Sequence, residues 1–341
     1  MLTILRQTPN HDFPYRGTSH DRLLSLLGFA ILAPSFRNAQ PWRFEVGEHW
    51  VDISIDPNHI SPVADPDGRE RTMDVGAAID HLSLAMRWHL MEPRVEYFPD
   101  ADKPNLLARI VHDGDSDPST EDLVLFSQIE KRHTAVVFSS QQELHPGRLE
   151  QLEEMATERG AGMVWIRHGA FRREVAEMVK RANELHFDNE LFRKELSTWT
   201  REDHADWEAA GDGVSAEQLG ITGLVRHIFP WLVAHVDLGT AVGKEEMIRA
   251  ATAPALGVLC TRGDERRDWL DAGQALSRLL LRGCASGLRG SFLNAPMEIP
   301  GMRIRLREDL RLVGFPQALV QIGPGPEGKP TPRRPLESFI D

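Results

Sequence analysis

The chain has 341 residues, 41% hydrophobic and 26% charged, with 51 acidic against 39 basic side chains and a formal net charge of −12. That length allows one large or two modest domains with a sizeable core, and the acidic balance disfavours nucleic acid and anionic membrane surfaces as partners. Cys260 and Cys284 have no CxxC spacing, so they read as small buried hydrophobes in a reducing, cytoplasmic compartment, not as a disulfide framework or a zinc site. The 14 histidines are scattered without ligand spacing, no Walker or GxGxxG motif follows a strand, and neither a signal peptide nor an apolar run of membrane-spanning length is read.

In chain order, His11, Asp12 and Pro14 read as a short, loosely held arm. An apolar helix over 23–32 runs into Ala33-Pro34-Ser35-Phe36-Arg37-Asn38-Ala39-Gln40-Pro41-Trp42-Arg43-Phe44. Pro34 biases Ala33 away from helical geometry. Residues 43–46 and 51–55 then alternate like a hairpin. Ser35, Asn38 and Gln40 therefore sit on a short turn between helix and sheet. Three neutral hydrogen-bonding side chains suit a polar, uncharged ring system better than a metal or a phosphate. Taken alone, the same turn could merely end a helix while its Asn and Gln satisfy backbone groups. Apolar residues at helical spacing predict a helix over 74–90, followed by strands over 94–98 and 106–111.

Residues 126–130 read as helical and lead into Lys131-Arg132-His133-Thr134. Pro146 opens a helix over 147–159. A further helix over 171–185 carries Val175, Met178, Val179, Ala182 and Leu185 on one stripe. An apolar helix over 271–281 precedes Gly287-Leu288-Arg289-Gly290-Ser291, read as a turn, and a closing strand over 317–322. A Gly/Pro-rich linker, 323–332, delivers Arg333-Arg334-Pro335-Leu336. One order thus appears twice. Asp74-Val75-Gly76 and Asp271-Ala272-Gly273 each carry an acid two positions before a glycine, which suggests a duplicated unit. The segment 186–244 has no counterpart in the first half. Its Trp199, Trp207, Phe229 and Trp231 fit either a lid over a pocket or an insert with a satellite core.

The stretch from Ala33 to Phe44 resembles the A-P-S-x-x-N-x-Q-P-W-x-F segment of the nitroreductase family, flavoproteins that bind FMN. Arg132-His133-Thr134 is similar to the R-R-S or R-H-S triplet that opens nitroreductase domains. Residues 287–291 resemble that family's glycine-rich turn, where a backbone N–H faces the flavin N5. The resemblance implies an α+β fold, a nitroreductase-like three-layer sandwich with a mainly antiparallel sheet and helices on both faces. The first half carries the flavin loop without a clear phosphate triplet (Arg16-Gly17-Thr18 is a poor one), and the second carries the triplet without the loop. The expectation is an internally duplicated pseudo-dimer with lobes 1–125 and 126–341, as in the two-lobed single-chain subgroup known from mycobacteria, with one FMN at the junction.

The resemblance further implies roles. Ser35, Asn38 and Gln40 would bond the isoalloxazine and ribityl chain, with Pro34 shaping the loop. Arg132, Thr134, Arg333 and Arg334 would hold the phosphate through guanidinium forks and a hydroxyl, with His133 nearby. Arg289 and Gly290 would present backbone at N5. No side chain need act as nucleophile or acid, because hydride transfer belongs to the flavin. The implied activity passes electrons from NAD(P)H through FMN to a nitroaromatic, quinone or similar acceptor. The alternatives are an FMN store whose closed lid permits little turnover, or a scaffold with an empty site. Self-association of the pseudo-dimer stays open.

Overall fold

In the computed structural model, the described residues are 13–135, 137–167, 169–217, 221, 223–325, 328 and 331–340. His11 and Asp12 lie outside them. From Phe13 onward the expected loose arm is tied down: Phe13 is buried and stacks on His89 with ring centroids 3.9 Å apart.

The first lobe opens with α1 (Ser19–Ala30), started by a capping box in which Thr18 and Asp21 bond each other's backbone N–H. A single 3-10 turn, Phe36–Asn38, leads to β1 (Trp42–Val46) and β2 (Trp50–Ile55). The long α2 (Arg69–Trp88) follows, then β3 (Met91–Tyr97) and β4 (Leu106–Asp115). These strands form one sheet in the order β1-β2-β4-β3. The short α3 (Thr120–Phe126) links the halves. It starts earlier than the sequence reading placed it because Ser119 and Asp122 form a capping box, and it stops at Phe126, so 127–131 are turns.

The second lobe repeats the scheme. It runs α4 (Pro146–Thr157), β5 (Ala161–Trp165), an insertion, β8 (Ala255–Thr261), α10 (Arg266–Ala285), β9 (Leu288–Phe292), α11 (Ala295–Glu298), α12 (Pro300–Asp309) and β10 (Phe315–Pro324). Its sheet order, β5-β8-β10-β9, matches the first. Every ladder in both four-stranded sheets is antiparallel. Each lobe thus carries its own four-stranded antiparallel sheet, in keeping with the expected α+β fold. Of residues 287–291, only Gly287, with φ 73°, lies in a turn; 288–291 belong to strand β9, where a turn was expected. Gly290 is needed there because a Cβ would come within 2.6 Å of Leu280 on α10.

The insertion between β5 and β8 contains α5 (Ala170–Asp188), α6 (Glu190–Thr198), β6 (Thr200–Arg201), α7 (His204–Ala210), β7 (Val214–Ser215), α8 (Phe229–His235) and α9 (Gly239–Thr252). Helices α5 and α9 pair closely, since a Cβ on Gly243 would stand 2.7 Å from the Lys180 carbonyl oxygen. The unmatched segment is therefore wider than 186–244. Val175, Met178, Val179 and Ala182 are buried along α5, but Leu185 is exposed. Trp199, Trp207 and Phe229 are buried, whereas Trp231 is 56% exposed.

The two lobes share their core. Leu270, Leu281 and Met155 from the second half pack into the first lobe's apolar cluster. The C-terminal segment also crosses over: Phe339 is fully buried there, and Ile340 bridges Phe44 of β1.

Candidate functional site

Among the described residues, three of the six non-glycine residues with positive φ lie in the 34–40 turn. Arg37, Asn38 and Gln40 all have positive φ, at 51°, 55° and 51°, a region non-glycine residues seldom occupy. Three contacts hold them. The backbone N–H of Phe36 donates to both carboxylate oxygens of Asp74 on α2, at 3.1 and 3.2 Å. Arg37 donates to Glu298 of α11 at 2.8 Å. The hydroxyl of Ser35 accepts from the Gln40 N–H at 3.1 Å. Pro34 is buried just before the turn.

Asn38 and Gln40 are both buried and both reach the insertion. Asn38 donates to the carbonyls of Gly211 and Pro332, and Gln40 to those of Gly211 and Asn38. Gly211 has φ +73°, and a Cβ there would meet the Arg333 carbonyl at 2.7 Å. The turn, the insertion and the C-terminal segment therefore close on one another.

Arg333 and Arg334 arrive at this same place. Arg333 donates to the carbonyls of Ile31, Leu32 and Ala33, beyond the end of α1, and to Asn38 Oδ1 at 3.1 Å. It therefore satisfies main-chain carbonyls of the segment that leaves α1. Arg334 donates to the Gln40 carbonyl at 2.7 Å, lies 3.8 Å from Asp56 and sits over the Phe339 ring. Both guanidiniums are thus built into the protein.

The Nε of Arg132, like that of Arg334, is shielded from solvent and has no hydrogen-bond partner; the Arg132 residue itself is half-buried, and no carboxylate among the described residues acts on its charge. Burial lowers its guanidinium to about 10, and Cys284 is the neighbouring group that acts to raise it. Arg289 is also buried; it donates to the Leu288 carbonyl, lies 3.7 Å from Cys284 Sγ, and likewise has an orphaned Nε. Thr134 is exposed and forms a parallel bridge with Gly290, which also pairs with Ile322 of β10. Gly290's backbone is therefore committed to pairing on both sides. His133 is buried and bonds the Lys131 carbonyl.

Sequence reasoning missed several neighbours. Glu70, at the start of α2, accepts from Asn294 at 3.3 Å, and its Oε2 is buried without a partner. Burial, and then Glu298, push its carboxyl well above the usual range. Burial does the same to Asp74. The acid before Gly76 was visible in the sequence, but its partner, the Phe36 N–H, was not. His81 on α2, read from the sequence as one of the scattered structural or surface histidines, is fully buried. It lies close enough to Arg132 and Arg333 for their charges to act on its ring.

No family model matches the chain. The Mycobacterium tuberculosis protein named "Putative NAD(P)H nitroreductase acg" is 29% identical over 331 residues, covering 94% of this chain and 95% of that protein. Another from the same organism, "Putative NAD(P)H nitroreductase Rv3131", is 28% identical over 324 residues, covering 93% and 90%. Among solved structures, the FMN-dependent nitroreductase NfnB from Mycobacterium smegmatis, in complex with NADPH, covers 64% of this chain and 97% of its own at 16% identity and a TM-score of 0.43, a likeness too slight to carry an argument. Along nearly its whole length, this chain is a homologue of the mycobacterial proteins that bear the nitroreductase name, Acg included.

Proposed function

We propose that the protein binds FMN between its lobes and passes reducing equivalents from NAD(P)H to a small electrophilic acceptor, such as a nitroaromatic or a quinone. Arg132 carries this reading. A half-buried guanidinium with a shielded, unpartnered Nε and no paired acid is suited to take up an anion. The FMN phosphate is such an anion, and guanidinium donors match its oxygens. The exposed Thr134 hydroxyl adds a neutral donor beside it. Arg289, with a second orphaned Nε and the same Cys284 neighbour, extends the cationic wall. Ser35, whose hydroxyl oxygen accepts from the Gln40 N–H, would donate its proton to the ligand. Arg333 and Arg334 shape the site from behind, and Asn38 and Gln40 hold the insertion over it. Bound FMN would supply the hydride chemistry itself.

The clasp on Gly211 favours a second reading, FMN storage with the insertion shut. One set of measurements separates them. Purified protein is titrated with FMN, followed by flavin fluorescence and absorbance, and NADPH is then added without oxygen. The reductase reading expects bound FMN whose flavin band bleaches, with turnover on a nitroaromatic. Storage expects bound FMN that does not bleach. Arg132→Ala should weaken FMN binding by at least about tenfold, the scale of a lost charged hydrogen bond, and leave riboflavin binding unchanged. Wild-type protein that binds no FMN would overturn both readings.

A further inference from the structure

A cavity of about 170 Å³ lies between α1, the end of α2 and the turn after α3, lined by Phe29, Trp88, Phe126, Ser127 and Glu130. It shares no lining residue with the site described above. Phe29 and Phe126 are buried, Trp88 is half-buried, and Ser127 and Glu130 are exposed. The floor is therefore aromatic, and the rim is polar and reaches solvent. Phe126 packs on both other rings, its centroid 4.6 Å from that of Trp88 and 4.7 Å from that of Phe29, so the three brace one another. A cavity of this size holds one small molecule, about as large as benzene.

The surroundings set the charge of that molecule. Aromatic ring faces are partially negative. Each lining ring stands on the last or next-to-last residue of its helix: Phe29 in α1, Trp88 in α2 and Phe126 in the short α3. The partially negative C-terminal ends of α1 and α2 therefore meet here. The last turn of α1 has no basic residue, and Arg87, in the last turn of α2, faces Glu92 and Asp122 at 3.6 and 4.0 Å. At the rim, the Glu130 carboxylate only accepts, and the Ser127 hydroxyl donates its proton to the Val124 carbonyl at 2.7 Å. None of the lining residues is basic. An anion is repelled by such a lining. A metal ion or a primary ammonium needs several oxygen acceptors, whereas this cavity offers chiefly ring faces. An alkylated ammonium needs no hydrogen bond and packs its methyl groups on aromatic rings.

We propose that this cavity binds a small organic cation, an alkylated ammonium, with Phe29, Trp88 and Phe126 against its methyl groups and Glu130 facing its charge. The proposal stands whether or not the protein takes FMN.

The test is calorimetric titration of the full chain with choline, with tetramethylammonium, and with dimethylbutanol, the uncharged carbon isostere of choline. Both cations should bind, and the isostere should bind at least about tenfold more weakly than choline. Trp88→Leu, which keeps apolar bulk without the indole face, should weaken choline by about tenfold. Glu130→Gln should weaken it by about threefold, the scale of an exposed ion pair, while Glu153→Gln, an acid outside the cavity, should leave it unchanged. Equal affinity for choline and its isostere overturns the proposal. So does the failure of both cations to bind, or undiminished choline binding by folded Trp88→Leu. If that variant does not fold, the wild type decides by nuclear magnetic resonance: the N-methyl protons of bound choline should show Overhauser contacts to the Trp88 indole, and their absence overturns the proposal.

Discussion

Three non-glycine residues with left-handed backbone within one four-residue stretch do not persist without cause. Each such residue costs on the order of 1 kcal/mol or more, so Arg37, Asn38 and Gln40 stay that way because Asp74, Glu298, Gly211 and the C-terminal segment fix them. The sequence showed the turn and its polar residues. It could not show that Asn38 and Gln40 bond main-chain carbonyls of residues some 170 to 290 positions away. The role of Arg333 was hidden for the same reason, since backbone acceptors leave no mark in composition. His89 shows a related effect at a more ordinary site. It is buried against Phe13, and burial holds its pKa down to about 4. The unfolded chain takes up this proton near the ordinary histidine value of about 6.5. Between those values the unfolded state binds more protons than the folded one. Stability is therefore full above about pH 6.5 and falls as pH drops toward 4, by up to about 2–3 kcal/mol from this group. His81 acts in the same direction. Urea midpoints measured from pH 7 down to 4.5 should fall less steeply in His89→Phe, which keeps the stacking and removes the titration. Parallel curves would show that His89 stays neutral for no energetic reason.

Among the elements, α2 and α10 define the architecture. Each has 20 residues, and Asp80 and Ser277, 197 positions apart, are hydrogen-bonded at 2.9 Å. That same shift carries Arg69–Trp88 onto Arg266–Ala285, and Gly76 onto Gly273. A Cβ on Gly76 would overlap the Leu270 carbonyl, and one on Gly273 would overlap that of Met73. The two contacts are equivalent under the repeat, as in a two-fold interface. The sequence match of acid and glycine in both helices was therefore a trace of the crossing itself. Strand β9 was misread because Gly290 and the preceding Gly287 resemble turn residues, although a Cβ on Gly290 would crowd Leu280. Gly273→Ala should separate the helices and destabilise the protein by about 2 kcal/mol or more in urea unfolding. An alanine on the solvent face of α4, such as Glu153→Ala, should change it by less than about 0.5 kcal/mol.

Across the whole molecule, the halves cannot be understood as independent domains. Leu270, Leu281 and Phe339 belong to a core centred on the first half. A buried ion-pair network joins Asp80 of α2 with Arg278 of α10, and Arg278 with Asp122 of α3. Chemical unfolding should accordingly give one transition, coincident by tryptophan fluorescence and far-ultraviolet circular dichroism. Two separate midpoints would contradict the shared core. The broad plan was legible because helix and strand periodicities are local. The site was legible only in part, because its wall is assembled from α1, α2, α10, the insertion and the C-terminal segment, and no local pattern records that meeting. The bond between Asp80 and Ser277 carries a last implication. Two identical subunits would have to put the same residue at both of those places, acid facing acid or hydroxyl facing hydroxyl. A continuous polypeptide escapes that restriction, and this one uses the freedom to set a carboxylate against an alcohol where its two halves mirror each other.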